Sequence, residues 1–149
     1  MNIILDLEQF NIDYVHYQEP VKNTVMDNST FIRAIYSNNT FMLNGIFLLF
    51  NLNIVSCEKS FNKYKCLFNK NTNAKEIHLL CNIEKELLDK INLLNKTPVY
   101  RIREQLVNGF IKLYSDNLNK KTNNEFIIKI SGIWENNNEY GITYKIVGE

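Results

Sequence analysis

Apolar residues recur at helical spacing between about Asn73 and Leu94. They are Ile77, Leu80, Cys81, Leu87, Leu88, Ile91 and Leu94. Such spacing gathers apolar side chains into one stripe along a helix, and the charged residues of this segment are expected to fall outside that stripe. Asn73 and Glu76 are three residues apart at its start, which is the spacing of a capping box. The pattern predicts one long amphipathic helix with a structural role.

Most of the remaining chain alternates between polar and apolar residues, or has short apolar runs bounded by turn residues. The predicted strands are Tyr14–Glu19, Phe31–Tyr36, Phe41–Phe50, Tyr64–Phe68, Phe110–Tyr114, Phe126–Glu135 and Tyr140–Val147. The last two are joined by Asn136-Asn137-Asn138-Glu139. A link this short and rich in turn-forming residues predicts a closing antiparallel hairpin.

Two segments fit more than one structure. Thr97-Pro98 is typical of a helix start with Gly109 just past the helix end, whereas Asn108-Gly109 is equally typical of a hairpin turn. We favour the helix. Asn44-Gly45 fits either a hairpin turn or a bulge within one long strand, and the short run before it favours the bulge.

The order of elements predicts a mainly β, α+β fold in which the long helix precedes the closing hairpin. This order is compatible with a five-stranded Greek-key barrel of the OB type, in which a helix packs between the third and fourth strands. It is equally compatible with an α+β sandwich. The chain has 149 residues and no linker-like stretch, so we expect a single domain over residues 1–149.

Composition and charge narrow the function only slightly. The net charge of +1 is too small to predict DNA binding by itself. The longest apolar run, Phe41–Phe50, is far shorter than the roughly 18 residues of a membrane span, so we expect no membrane association. The N-terminal residues have no basic region typical of a signal peptide, so we expect the chain to stay inside a cell.

The residue types used in catalysis and metal binding are present without the spacing that those sites require. His16 and His78 are the only histidines, and neither has a second ligand at zinc-binding spacing. Glu84 with Glu86, like Asp6 with Glu8, is a carboxylate pair that we interpret as solvated charge. We expect no catalytic residue, no metal site and no cofactor.

The cysteines indicate neither a disulfide framework nor a metal site. Cys57, Cys66 and Cys81 are odd in number and widely spaced. This number and spacing predict reduced, partly buried thiols.

The closing hairpin is the main candidate for a binding surface, because single-strand binding requires cations for phosphates and flat side chains for bases. By alternation, one face of its first strand carries Phe126, Ile128, Ile130 and Trp134, and the other carries Ile127, Lys129, Ser131 and Ile133. In the second strand Tyr144 and Lys145 point to opposite faces. Trp134 is the only tryptophan. We favour a core anchor over a base-stacking platform for this residue.

Other cations lie among aromatic residues elsewhere in the chain. Arg33 lies within Phe31–Tyr36, and a second group lies near Tyr100 and Tyr114. The full set of candidate nucleic-acid-binding residues is Arg33, Arg101, Arg103, Lys112, Lys129, Trp134, Tyr144 and Lys145. A solvated charge is the simpler interpretation of each cation taken alone.

The segments Lys129–Glu135 and Tyr140–Lys145 resemble small proteins of large nucleocytoplasmic DNA viruses. Val25–Arg33 and Leu43-Asn44-Gly45-Ile46 are similar to other parts of the same family. The resemblance covers most of the chain in scattered pieces. The proteins of this family resemble single-stranded DNA-binding proteins of the OB-fold type, similar in plan to the small replication proteins of bacteriophages. The resemblance implies the same fold and function for this chain. One departure is the C-terminal segment Lys145–Glu149, which lacks the acidic tail of the phage proteins and puts tail-mediated recruitment of a polymerase or helicase in doubt.

The resemblance therefore implies a non-enzymatic, sequence-tolerant single-stranded DNA-binding protein of viral replication or recombination. Its expected partners are single-stranded DNA and viral replication proteins, and its expected location is the host cytoplasm, in the viral factory, or the virion. The alternative is a structural or assembly protein, such as a virion component, that makes protein contacts through its sheet edge. The sequence leaves the oligomeric state open, including a homo-oligomer.

Overall fold

The computed structural model describes residues 3–22, 28–61, 63–113 and 124–148. Tyr114, which was predicted to end a strand, lies outside these residues, as do residues 25–27 of the viral resemblance. The helices are α1 (Ala74–Ile91) and α2 (Arg101–Val107), with short 3-10 helices at Leu7–Gln9 and Ile12–Tyr14. The strands are β1 (Leu5–Asp6), β2 (Val15–Tyr17), β3 (Val21–Lys22), β4 (Thr30–Ser37), β5 (Met42–Leu43), β6 (Ile46–Asn51), β7 (Ile54–Ser60), β8 (Lys63–Phe68), β9 (Thr97–Val99), β10 (Phe110–Leu113), β11 (Glu125–Glu135) and β12 (Glu139–Gly148).

Among the residues that the structure describes, strand β11 is the centre of the larger of two sheets. Five strands of this nine-stranded sheet lie in the order β1-β6-β11-β12-β9. Strand β4 also pairs with β11, beyond the end of β6, and the strands β2, β3 and β5 pair with β4. The predicted hairpin is present as β11 and β12, and the side chain of Asn136 closes its turn by accepting hydrogen bonds from the backbone N–H groups of Asn138 and Glu139 at 2.9 and 2.7 Å. The pairs β1–β6 and β9–β12 are parallel, which local alternation does not predict.

The smaller sheet has three strands in the order β10-β8-β7. Strand β7 was not predicted. It brings Cys57 directly opposite Cys66 on β8, and the two residues are joined by a disulfide. The expectation of reduced thiols is therefore wrong for this pair, because the β7–β8 hairpin makes neighbours of cysteines nine residues apart. Cys81 is a free thiol.

Helix α1 matches the predicted helix, but its first turn differs from the expected capping box. Asn73 makes no side-chain cap hydrogen bond. Its Oδ1 instead accepts from the backbone N–H of Asn53 at 2.8 Å, and Glu76 accepts from the backbone N–H of Asn51 at 3.2 Å. Both side chains hold the loop after β6 against the start of α1. The prediction of a capping box is therefore wrong. At the other end Asn92 is left-handed, with φ 41°, and ends the helix.

The segment 97–109 has features of both predicted alternatives, whereas Asn44-Gly45 matches neither of its two alternatives. Residues 97–99 form β9, the favoured helix begins only at Arg101, and Gly109, with φ +79°, turns the chain into β10. Asn44-Gly45 neither turns a hairpin nor bulges a continuous strand. Gly45, with φ +123°, separates β5, which pairs with β4, from β6, which pairs with β11.

The two helices and β10 cover one face of the β11–β12 hairpin, which we call the inner face. Side chains from α1 (Leu80), α2 (Ile102, Leu106) and β10 (Ile111) meet Ile128 and Ile146 there. The fold is therefore mainly β with α+β character, as predicted, and the described strands form open sheets. None of the described helices is long and apolar enough to cross a membrane.

Candidate nucleic-acid interface

A β-bulge at Ser131 decides which side chains of β11 share a face. Ile130 stands opposite Tyr144, but Gly132 stands opposite Thr143, so Ser131 is an extra residue. An extra residue inverts the alternation beyond it. Ile133 therefore joins the inner face, and Trp134 joins the opposite, outer face with Ile127 and Lys129. The predicted grouping of Trp134 with Phe126, and of Ile133 with Lys129, is wrong for this reason.

The middle of the outer face carries a row of three side chains on neighbouring strands. Lys129 stands opposite Phe47 of β6 on one side and Lys145 of β12 on the other. Both lysines are exposed and Phe47 is half-buried. Like charges directly opposite each other destabilise a strand pair. The row thus places two lysines and a phenylalanine side by side on three neighbouring strands.

A third cation lies one row away, on β4. Arg33 stands opposite Gly132, and its guanidinium carbon lies 5.3 Å from the centre of the Phe31 ring. Its Nη1 donates to Oδ1 of Asn44 at 3.2 Å. A Cβ on Gly132 would collide with the backbone carbonyl oxygen of Ile32, so this glycine allows β4 to approach β11.

Trp134 lies in the next row, between Phe31 of β4 and Gly141 of β12. The indole lies over Gly141, where an added Cβ would be 2.8 Å from Cζ2. The guanidinium carbon of Arg101, the first residue of α2, lies 4.5 Å from the ring centre. Trp134 is only 5% exposed, yet it is not part of the main core cluster. It is a buried residue of the outer face, covered by an arginine.

Carboxylates lie around these cations. By register, Glu125 and Asp6 are on the outer face toward one end of β11, and Glu139 is at the other end, beside β9. The central rows between them carry Arg33 and the Lys129–Lys145 pair.

The remaining predicted site residues lie elsewhere. Tyr144 is on the inner face, packs against the core and accepts a hydrogen bond from Nε2 of Gln105. Arg103 lines an open cleft of about 450 Å³ between β9 and α2, together with Tyr100. Lys112 is on the small sheet opposite Lys65. The outer face therefore brings together Arg33, Lys129, Trp134, Lys145 and Arg101, but not these three.

Glu84 is a buried carboxylate that the sequence interpretation assigned to solvent. It is fully buried on α1, and its two oxygens accept from the backbone N–H groups of Ile102 and Arg103 at 2.9 Å each. Burial raises its pKa to about 7, although these hydrogen bonds oppose the shift. Glu84 thus holds the start of α2, where Arg101 also lies. The sequence did contain a signal for this burial, because Glu84 is four residues from both Leu80 and Leu88 and so lies in the apolar stripe of the helix.

Within the described residues, no group of three or more His, Cys, Asp and Glu side chains is close enough together to hold a metal ion. Comparison with known proteins adds no assignment: no family model, no curated protein and no solved structure matches this chain.

Proposed function

We propose that this chain is a non-enzymatic, sequence-tolerant single-stranded DNA-binding protein of viral replication or recombination, and that it binds through the outer face of the large sheet. The observation that carries the proposal is the row formed by Phe47, Lys129 and Lys145. It combines two cations that can reach phosphates with a half-buried ring on which a base can stack.

The like-charged lysine pair supports an anionic ligand. Two like charges on directly opposed residues repel each other, and this pair also lies beside Phe47 on the outer face. A phosphate placed between Lys129 and Lys145 relieves the repulsion and releases counterions from the strand. Binding to a phosphate backbone therefore makes the lysine pair favourable in the complex.

The surface fits a single strand better than a duplex. Phe31 and Phe47 are half-buried on a sheet face, so bases must be unpaired to stack on them. No base-edge reading is needed for such contacts, which makes the binding sequence-tolerant. OB-folds bind oligonucleotides on a sheet face, and we keep the OB type as part of the proposal. The proposed location is the viral factory of the host cytoplasm or the virion, with viral replication proteins as partners.

The test is fluorescence anisotropy with labelled oligo-dT and the matched duplex at two salt concentrations. We expect the single strand to bind more tightly than the duplex, and its affinity to fall as salt rises. Equal affinity for both, or no binding of either below about 100 μM in low salt, would overturn the proposal.

A charge-matched pair of variants locates the surface. Lys129→Glu with Lys145→Glu should abolish binding. The control, Lys70→Glu with Lys85→Glu, changes the net charge equally at exposed positions before and on α1. Equal losses in both variants would indicate nonspecific attraction and place the site elsewhere.

The small sheet favours a second candidate function, assembly through protein contacts. Strand β7 is at the edge of the small sheet formed by the described strands. Val55 on β7 is 73% exposed, and Phe61 beyond its end is 95% exposed. Exposed apolar side chains at a strand edge favour pairing with another chain. Light scattering after gel filtration tests this: Phe61→Ser should abolish concentration-dependent self-association. A wild-type protein that stays monomeric at all concentrations would remove homo-oligomeric assembly.

A further inference from the structure

The indole N–H of Trp134 has no hydrogen-bond acceptor among the described residues, although the atom is completely buried. Buried polar groups are nearly always paired, so an unpaired buried donor requires an explanation. Trp134 is also outside the main core cluster. A purely structural role in the core leaves both observations unexplained.

The cover of this ring is the side chain of Arg101. Arg101 is exposed, and no carboxylate forms a salt bridge with it in the described part of the chain. Its guanidinium lies over the indole at 4.5 Å. A guanidinium stacks on aromatic rings and also binds phosphates in a bidentate manner, so a phosphate competes directly with the indole for Arg101.

The same arrangement occurs on the neighbouring strand. Phe31 stands directly opposite Trp134 in the β4–β11 ladder, and Arg33 lies over the Phe31 ring at 5.3 Å. Two aromatic rings in one row of the outer face are thus each covered by an arginine. Gly141 completes the row and leaves room for the indole to lie along the sheet.

We infer that Trp134 and Phe31 form a stacking subsite for two unpaired bases, which Arg101 and Arg33 cover in the free protein. When single-stranded DNA binds, its phosphates bind the two guanidinium groups. Its bases then stack on the two rings in place of the arginines. The indole N–H then gains an acceptor from the strand. This inference rests on the proposed function and adds which rings hold the bases.

Trp134 is the only tryptophan, so its fluorescence reports on this subsite alone. We expect oligo-dT to quench the Trp134 emission saturably, in step with the anisotropy of a labelled strand. In the free protein, Arg101→Ala should expose the ring, which raises acrylamide quenching and shifts the emission to the red. Arg101→Lys keeps the charge but loses the planar stack, so it should also raise acrylamide quenching while preserving more of the affinity than Arg101→Ala.

Ring removal tests the stacking contribution. Trp134→Leu should weaken oligo-dT binding about 5- to 150-fold with little change in the salt slope. Trp134→Phe keeps a ring and should lose less, and the melting temperature of both variants shows whether each is folded. If oligo-dT raises the anisotropy of the complex but leaves Trp134 emission and acrylamide quenching unchanged, the subsite is refuted while single-strand binding stands. If oligo-dT does not bind at all, both proposals fail.

Discussion

Lys129 and Lys145 stand directly opposite each other in the β11–β12 ladder, on the outer face of the large sheet. If both contact phosphates, replacing either with alanine should lower the slope of log affinity against log salt by about 0.7. Lys85→Ala, at an exposed position on α1, should leave the slope unchanged. Anisotropy titrations at four or more salt concentrations measure this. Unchanged slopes for both outer-face variants would exclude the two lysines from the site.

The same pair predicts that removing one lysine does not destabilise the protein, whereas most substitutions do. Lys129→Ala removes a like charge opposed across two strands, so we expect the free energy of unfolding to stay level or rise by about 0.2–1 kcal/mol. Urea unfolding at low salt measures it, and the gain should disappear at high salt because the repulsion is screened. A clear loss of stability would show that folding itself requires Lys129.

The effects of substitutions at Gly141 and Trp134 on the free energy of unfolding should depend on each other. A Cβ at position 141 would be 2.8 Å from the indole, so we expect Gly141→Ala to destabilise the protein by about 1–3 kcal/mol. In a Trp134→Leu background the same substitution should cost much less. A double-mutant cycle from urea unfolding gives the coupling. Additive costs would mean that the indole does not restrict residue 141.

Leu87 is 1% exposed on α1 and packs in the core, on the opposite side of the sheet from the outer face. Leu87→Ala should reduce the free energy of unfolding by about 2–5 kcal/mol. Its matched control is Leu94→Ala, at a position 79% exposed, which should change stability by less than about 0.5 kcal/mol. DNA affinity per folded molecule should be unchanged in both. A loss of affinity in folded Leu87→Ala would move the site toward the helix.

Glu84 predicts a pH dependence of stability. Folding raises its pKa from 4.5 to about 7, so the native state holds a proton that the unfolded chain loses near pH 4.5. The free energy of unfolding should therefore fall as pH rises from about 4.5 to 7, by up to about 3 kcal/mol, and this contribution should be level above that range. Glu84→Gln cannot ionise and should flatten the curve relative to the wild type. Parallel curves for the two proteins would contradict the assignment.

Local patterns determined most of the secondary structure. The apolar stripe over Ile77–Leu94 predicted α1, and alternation predicted β4, β8, β11 and β12, because helix and strand periods are properties of neighbouring residues. The turn at Asn136 also follows from local side-chain hydrogen bonding. These interactions involve short sequence separations, so they can be read from the chain itself.

The tertiary structure alone decided how the candidate site is assembled. The bulge at Ser131 moves Trp134 to the face of Lys129. Gly132 inside the strand is compatible with a bulge or with a close approach of another strand, and the sequence does not distinguish the two. The pairing of Phe47 with Lys129 joins residues 82 positions apart, and the covering of Trp134 by Arg101 depends on where α2 begins. Strand register and the packing of separate elements arise from the whole set of contacts in the fold, so no local pattern encodes them.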